Sequence, residues 1–292
     1  MSRLLIIGSS GQLGRALLRA VGSRHEEVIS WARKDVDLLD LDALKRELNT
    51  LRPDLIINAS AYTAVDRAES EPERAFALNR DAPAAMALYG APLVHISTDY
   101  VFSGAKHEPY VETDMRGPIN VYGKSKAAGE DAVLESSSRA VVIRTSWVYS
   151  PDRANFVKTM LRLAEEQEEV SVVADQIGRP TSADDLAHAC LTIGERLRAG
   201  DTGYEGIFHY SGAGDATWAD FAEFIFASIA ARGHRAPRVI RITTDRYQTP
   251  AKRPLNSRLD TSKIEALGVR TQPWCSALEI CLEDLLQPPS KG

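Results

Sequence analysis

The stretch Arg3-Leu-Leu-Ile-Ile-Gly-Ser-Ser-Gly-Gln-Leu-Gly14 decides the fold of this chain. Its apolar run predicts a short strand, and the apolar spacing over residues 15–21 predicts a helix after the glycines. A strand, a glycine-rich turn and a helix in that order are typical of a dinucleotide site. Gly8 permits the tight turn, Gly11 lets backbone approach a pyrophosphate, and Gly14 lets helix and strand pack closely. The alternative is a glycine-rich turn that binds no ligand.

The end of the second predicted strand, residues 27–32, bears on the choice of coenzyme. An Asp or Glu near this point usually binds a free ribose 2′-hydroxyl. Here the sequence runs Trp31-Ala-Arg-Lys34, with two cations and no acid. This favours a 2′-phosphate and hence NADPH, with Arg33 as the contact. The alternative is that both cations are solvated turn charges.

Further apolar runs predict strands over residues 55–59, 92–98 and 140–149, with helical patterns between them. Alternating strands and helices predict an α/β fold with a Rossmann-type, doubly wound parallel sheet. Ligands of such sheets bind outside the carboxyl ends of the strands. Gly8, Ala59, Thr98 and Trp147 are all expected at that edge. His95 lies inside an apolar strand, where a core histidine is favoured over a catalytic one.

The pattern changes after residue 150. We predict a dinucleotide-binding domain over residues 1–150 and a smaller carboxyl-terminal α/β substrate lobe over 151–292, interleaved with the first. Its predicted elements are helices over 155–167 and 277–286 and strands over 170–174, 208–211 and 238–243. Ser182 is expected to cap a helix, because serine followed by early acids suits a helix N-terminus.

Tyr122-Gly-Lys-Ser-Lys126 supplies the candidate chemistry. Residues four apart lie one turn from each other on one face of a helix. A nearby ammonium stabilises phenolate, so Lys126 is expected to lower the pKa of Tyr122 from about 10. Such a phenol is a usable proton donor to a carbonyl that is being reduced. Taken alone the pattern is weak, and its alternative is a solvated helix start.

Composition excludes several other classes of protein. The chain has 292 residues and a net charge of −5, which gives no general attraction to nucleic acid or anionic membrane. Its three cysteines form no metal-like pattern and favour a reduced, cytoplasmic protein without disulfides. No signal peptide is expected before the first strand, and no apolar run reaches the length of a membrane span.

The glycine turn, Ser97-Thr98 and Tyr122-x-x-x-Lys126 together resemble the extended short-chain dehydrogenase/reductases that act on nucleotide sugars. Within them the chain is most similar to the dTDP-4-dehydrorhamnose reductase subfamily. The similarity covers nearly the whole chain. The segments that carry it include Asn58 to Pro72, Ser97-Thr-Asp-Tyr-Val-Phe102, Tyr122 to Glu130, Arg144-Thr-Ser-Trp-Val-Tyr149, Asp175-Gln-Ile-Gly-Arg-Pro-Thr181 and Arg253 to Leu259.

The resemblance implies reduction of the C4 ketone of dTDP-4-dehydro-β-L-rhamnose, the last step in making dTDP-β-L-rhamnose for bacterial surface polysaccharides. Tyr122 would protonate the oxygen, Lys126 would hold the nicotinamide ribose, and the Thr98 hydroxyl would bind the same oxygen. A strand-end threonine that bonds backbone is the alternative for Thr98. A sugar-binding set is implied at Thr98, Asp99, Tyr100 and Trp147, although Trp147 could instead be packed. A coenzyme-binding set is implied at Gly8, Gly11, Gln12, Leu13, Gly14, Arg33, Asp37, Leu38, Ala59, Ala61, Tyr62, Thr63, Tyr122 and Lys126.

Two departures from the family pattern matter. Some members pair subunits through Mg²⁺ held by a glutamate just after Gly14 and by acids near Asp184. Arg15 stands at the first position, and a cation cannot replace a carboxylate ligand. We therefore expect no metal site, and a monomer or weak homodimer. The missing acid after the second strand tilts the coenzyme toward NADPH in a family that often accepts NADH as well.

Four alternatives to this reductase are weighed at this point. Nucleotide-sugar 4,6-dehydratases share the threonine, tyrosine and lysine but carry Thr-Asp-Glu where this chain has Thr98-Asp99-Tyr100. A 4-epimerase would hold its NAD tightly and need no external reductant. A reductase of another dTDP-4-keto-6-deoxy sugar would share the proton donor. A related chain also serves as a regulatory, non-enzymatic subunit of methionine adenosyltransferase.

Overall fold

The computed structural model describes residues 2–22 and 27–286, in which strands and helices alternate. The strands are β1 (Arg3–Ile7), β2 (Glu27–Trp31), β3 (Leu55–Asn58), β4 (Leu93–Thr98), β5 (Ala140–Thr145), β6 (Val148–Tyr149), β7 (Glu169–Val173), β8 (Ile177–Gly178), β9 (Thr181–Ser182), β10 (Gly206–His209), β11 (Ala216–Thr217) and β12 (Arg238–Ile242). The α-helices are α1 (Gln12–Ala20), α2 (Leu41–Leu51), α3 (Val65–Ala68), α4 (Pro72–Phe76), α5 (Ala82–Leu88), α6 (Val121–Ser136), α7 (Phe156–Glu166), α8 (Ala183–Ala199), α9 (Trp218–Ala231), α10 (Ser262–Glu265) and α11 (Trp274–Leu286). A π-helical segment, Ala77–Asp81, joins α4 to α5, and 3-10 turns occupy Asp99–Val101 and Thr244–Arg246.

Six parallel strands form the central sheet in the order β2-β1-β3-β4-β5-β10. The predicted Rossmann-type α/β fold is therefore confirmed. The strand order reverses between β1 and β3, which places the expected ligand crevice at the carboxyl ends of these strands. The strands are apolar because helices cover both faces of the sheet, and β3 and β5 are buried along their whole length.

Two cores fill the two faces of this sheet. On one face α1 and α8 pack together over Leu4 and Ile6 of β1. On the other face α2, α5 and α6 cover Leu5 and Ile7. Helix α8 and strand β10 come from beyond residue 150, so the later part of the chain returns to the central sheet. A third core around Phe221 joins α7, α9 and α11 beside the two-stranded sheet of β7 and β12.

The structure corrects the bounds of several predicted elements. The strand predicted over 140–149 ends at Thr145, because Trp147 has a φ of +50° that extended backbone does not adopt. The last helix begins at Trp274, earlier than the predicted residue 277, and the helix that carries Tyr122 and Lys126 spans Val121–Ser136. Ser182 caps α8 as predicted, its hydroxyl accepting from the Asp185 backbone N–H at 3.4 Å.

Within residues 2–22 and 27–286, no helix combines the length and the apolar character needed to cross a bilayer.

Candidate active site

A cavity of about 670 Å³ opens at the carboxyl ends of the central strands. Its walls bring together sixteen of the eighteen residues expected there from the sequence. They are Gly8, Gly11, Gln12, Leu13, Arg33, Asp37, Leu38, Ala59, Ala61, Thr63, Thr98, Asp99, Tyr100, Tyr122, Lys126 and Trp147. A cavity of this size at a topological switch point suits a cofactor and a small substrate side by side.

The glycine turn is tightly packed, as a dinucleotide site requires. Gly8 has a φ of +85°, and a Cβ on it would lie 2.6 Å from the Ser60 backbone nitrogen. A Cβ on Gly14 would lie 2.2 Å from the Gly8 carbonyl oxygen, so α1 meets the turn backbone to backbone. Gly14 itself does not border the cavity; it acts through this close packing. Gly11 is the N-cap of α1 and offers no side-chain cap, which leaves the first N–H groups of the helix for an anion.

At the far end of the cavity, the rim after β2 carries Arg33 but not Lys34. Arg33 is exposed, and no salt bridge is found for it among the described residues. The turn is shaped by Asp35, whose carboxylate accepts from the Ala32 backbone N–H at 2.8 Å. A free guanidinium at this position can bind a phosphate in a bidentate manner.

Tyr122 lies at the first turn of α6, where it is 9% exposed. The helix starts here because the Asn120 side-chain oxygen caps it, accepting from the Gly123 backbone N–H at 2.7 Å. The Asn120 amide donates to the Lys252 carbonyl at 2.7 Å, which ties this cap to the carboxyl-terminal part of the chain. The ring of Tyr100 meets the ring of Tyr122 edge-on at 5.5 Å between centroids.

The pKa of Tyr122 is raised above its ordinary value of 10, because burial penalises the phenolate. A hydrogen bond with Thr98 acts in the opposite direction and is the smaller effect. The prediction that Lys126 lowers this pKa is therefore wrong for this arrangement. The phenol keeps its proton at neutral pH, and it remains an acid toward the stronger base that a reduced carbonyl oxygen becomes.

Lys126 is 1% exposed and its ammonium head is held inside the fold. Its Nζ donates to the Ile96 carbonyl at 2.6 Å and lies 3.2 Å from His95 Nε2. Burial lowers the pKa of Lys126 to about 8, and the charge of Glu130 opposes that shift. His95 is fully buried, as the sequence favoured, but it also contacts this lysine.

Thr98 and Asp99 form one hydrogen-bonded unit at the end of β4. The Thr98 hydroxyl donates to Asp99 Oδ1 at 3.0 Å and accepts from the Tyr100 backbone N–H at 3.2 Å. Burial raises the pKa of Asp99 to about 6, with hydrogen bonds from Ser257 and Thr98 acting against it. Thr98 therefore bonds backbone, as one interpretation of the sequence has it. It also borders the cavity, as a contact with the substrate oxygen requires.

Trp147 borders the cavity, and its ring is held by packing. Trp218 stacks on it at 3.6 Å between centroids and 11° between planes. Gly178 lies so close to the same ring that a Cβ there would be 2.5 Å from it. Packing therefore fixes this tryptophan, and its remaining surface is what a sugar could contact.

Tyr62 does not border the cavity, which corrects its expected place beside the coenzyme. Its backbone N–H donates to the Asn79 side-chain oxygen at 2.8 Å, and its phenol donates to Glu71 at 2.9 Å. These two bonds turn the residue toward α4 and away from the strand ends.

Several residues of the site were not identified from the sequence. Arg74, Thr145 and Arg153 border the cavity, and the buried hydroxyl of Thr145 has no hydrogen-bond partner among the described residues. Beneath the site Glu130 and Arg144, both at most 1% exposed, form an ion pair at 2.7 Å. In the sequence, the only signal for this ion pair was the position of Glu130, four residues after Lys126 on the same helix.

Arginines lie in the region around residue 15 and Asp184, which the sequence analysis compared with the Mg²⁺ site of some family members. Arg15 and Arg19 both bind Asp152, and Arg19 also binds Asp184 at 2.8 Å. No cluster of three or more potential metal ligands occurs within residues 2–22 and 27–286. The question of Mg²⁺ stays a prediction.

Comparisons with known proteins agree with this geometry. The sequence pattern of the family described as RmlD substrate binding domain matches residues 2–287. A dTDP-4-dehydrorhamnose reductase from Sinorhizobium fredii is 46% identical, covering 93% of this chain and 94% of its own. A crystal structure of a dTDP-4-dehydrorhamnose reductase from Clostridium acetobutylicum superposes with a TM-score of 0.92 at 35% identity, covering 98% of this chain and 100% of the other.

A second solved relative carries a coenzyme. The dTDP-4-dehydrorhamnose reductase from Bacillus anthracis, in complex with NADP, has a TM-score of 0.89 at 36% identity and covers 97% of this chain and 100% of its own. The resemblance seen in the sequence is confirmed, and this chain belongs to the RmlD substrate-binding-domain family.

Proposed function

We propose that this chain reduces the C4 ketone of dTDP-4-dehydro-β-L-rhamnose to dTDP-β-L-rhamnose with NADPH. The observation that carries the proposal is the convergence of Thr98, Tyr122 and Lys126 on the cavity that also contains the glycine turn. The residues fit a dinucleotide, because Gly8 and Gly14 leave no room for a Cβ and Gly11 leaves the helix N-terminus uncapped. Arg33 would hold the 2′-phosphate. NADPH, when bound, supplies the hydride.

The protein's own residues handle the proton. Tyr122 donates its phenolic proton to the ketone oxygen, since burial keeps that proton in place until a stronger base develops beside it. Thr98 turns its hydroxyl from Asp99 Oδ1 to the same oxygen as negative charge grows there. Lys126, whose Nζ is fixed to the Ile96 carbonyl, lies one turn of α6 after Tyr122 and borders the same cavity.

The finer points of the proposal concern coenzyme, assembly and location. NADH is accepted more weakly than NADPH, because Arg33 has no phosphate to bind on it. The arginines around Asp152 take the place of a metal-bridged contact, so the protein is a monomer or a weak homodimer that needs no Mg²⁺. We place it in the cytoplasm, with no nucleic acid or membrane as partner.

A coupled assay tests the function. Enzymatically made dTDP-4-dehydrorhamnose is supplied with NADPH or with NADH, coenzyme oxidation is followed by absorbance, and the product sugar is identified by NMR. We expect dTDP-β-L-rhamnose. A different 6-deoxy sugar would assign the chain to another dTDP-4-keto sugar, and no coenzyme consumption would favour a regulatory subunit.

The acid role of Tyr122 has its own test. Tyr122→Phe removes the proton donor and is expected to lower kcat by roughly 10²–10⁴-fold. Tyr149→Phe is the matched control, because Tyr149 is also buried but does not border the cavity, and its hydroxyl donates to the Trp274 carbonyl. Near-normal turnover in Tyr122→Phe would remove the role.

A further inference from the structure

A buried chain of hydrogen bonds leads from the cavity wall to Lys126. Ser60 borders the cavity and donates to Asn58 Oδ1 through its backbone N–H at 3.0 Å and its hydroxyl at 2.6 Å. Asn58 Nδ2 lies 3.1 Å from His95 Nδ1, and His95 Nε2 lies 3.2 Å from Lys126 Nζ. Asn58 and His95 are paired positions of β3 and β4, and both are fully buried.

Ser60 determines which atom donates in each hydrogen bond from Asn58 to His95. A backbone N–H can only donate, so the Asn58 oxygen faces Ser60 and the Asn58 amide group faces His95. That amide group can also only donate, so His95 Nδ1 must accept. Burial and the charge of Lys126 lower the pKa of His95, which keeps the ring neutral. A neutral ring that accepts at Nδ1 carries its proton on Nε2, the atom that faces Lys126.

An N–H directed at Nζ favours the amine form of Lys126 over the ammonium form. The amine can donate to the Ile96 carbonyl and accept from His95 with its lone pair, whereas the ammonium has no lone pair to offer. Among the described residues, Glu130 acts on Lys126 from the same helix and is itself paired with Arg144 and Arg116. Tyr122 lies one turn before Lys126, and Asp99 acts on Tyr122. Glu130 is bound by both arginines and is the one that favours the ammonium.

We propose that His95, held in one tautomer by Asn58, is a positioning residue that makes Lys126 a ready proton donor to Tyr122. This rests on the proposed function. After Tyr122 gives its proton to the ketone oxygen, an N–H bond of the Lys126 ammonium breaks, and that proton crosses the cavity that both residues border to re-form the phenolic O–H bond. The resulting amine accepts the hydrogen bond from His95 Nε2–H, and water then returns a proton to Lys126.

Two NMR measurements test the proposal without any activity. Long-range ¹H–¹⁵N spectra of the wild-type protein report the histidine tautomer, and we expect His95 protonated on Nε2. Titration of the lysine side-chain ¹³Cε signals reports Lys126, whose signal is the one absent in Lys126→Met. A proton on Nδ1 of His95 would overturn the proposal.

Two variants remove the N–H that His95 Nε2 presents to Lys126, each by a different change. Asn58→Asp keeps the shape but replaces the amide donor with an acceptor, so the His95 proton moves to Nδ1 and Nε2 accepts from the ammonium. His95→Leu removes the ring altogether. Each is expected to raise the pKa of Lys126 by about one unit, a tenfold change in its acid dissociation constant, as for the loss of one hydrogen bond at an ionising group. An unchanged Lys126 titration in Asn58→Asp, which tests the idea even if His95→Leu does not fold, would overturn it.

Activity then separates this inference from the proposed function. With the dTDP-4-keto sugar and NADPH, the alkaline fall of kcat should move upward by about one pH unit in both variants, with KM unchanged. A merely structural role would lower kcat equally at all pH values and would overturn the proposal. Absence of wild-type turnover would instead refute the proposed substrate, while the tautomer and the Lys126 titration would stand.

Discussion

Asp99 should make the folded protein less stable as the pH rises through the weakly acidic range. The carboxyl is 3% exposed, and burial raises its pKa from 3.8 to about 6. Between those two values the folded chain keeps a proton that the unfolded chain has lost, so the free energy of unfolding falls with increasing pH. The shift is roughly two units at 1.36 kcal/mol each, or about 3 kcal/mol over the complete titration.

The variant Asp99→Asn removes this titration. Relative to wild type, its free energy of unfolding should increase by about 2 kcal/mol between pH 4 and pH 7, because part of the unfolded-state titration lies below pH 4. Urea unfolding followed by circular dichroism at each pH measures the difference, and the change with pH cancels any constant cost of the amide. Asp245→Asn, at an exposed position, is the control. A difference between wild type and Asp99→Asn that does not change with pH would refute the reasoning.

Three further predictions concern the turn, the rim and the buried ion pair. Gly14→Ala places a Cβ 2.2 Å from the Gly8 carbonyl and should abolish NADPH binding in calorimetry, whereas Gly117→Ala, with its nearest neighbour at 3.5 Å, should bind normally. Arg33→Ala should raise the Kd for NADPH about tenfold and leave that for NADH unchanged, with Lys34→Ala as control; an equal effect on both coenzymes would exclude a phosphate contact. Arg144→Met removes the buried cation that pairs with Glu130 and leaves this carboxylate with Arg116 and Ser97, so it should lower the free energy of unfolding by about 3 kcal/mol, while the double variant Arg144→Met/Glu130→Met recovers most of it; failure to recover would show that the pair is not the cause.

What the sequence predicted well is local. The glycine turn, the apolar strands and the Tyr122–Lys126 spacing each depend on residues within one strand or one turn of helix. Their convergence follows from the rule that parallel strands end at one edge. These features were enough to predict the fold, and together with the family resemblance they predicted sixteen of the residues that border the cavity.

What the sequence could not predict depends on burial and register. The pKa of Tyr122 rises because the phenol is buried, which its helical neighbour does not reveal. The contact of Asn58 with His95 depends on the register between β3 and β4, and Tyr62 is turned away by Asn79 from the π-helical segment. Trp147 breaks the predicted strand through one residue of positive φ, which an apolar pattern does not show.

The cap of α6 has a consequence for how the protein is made. Asn120 holds the start of that helix and is itself anchored by the carbonyl of Lys252, while Arg253 forms an ion pair with Asp66 on α3 at 2.7 Å. Both anchors leave the ribosome more than 130 residues after Asn120 does. The setting of the proton donor is therefore complete only after residue 253 has been made, and we expect a chain that stops before Lys252 to lack this anchor of the α6 cap.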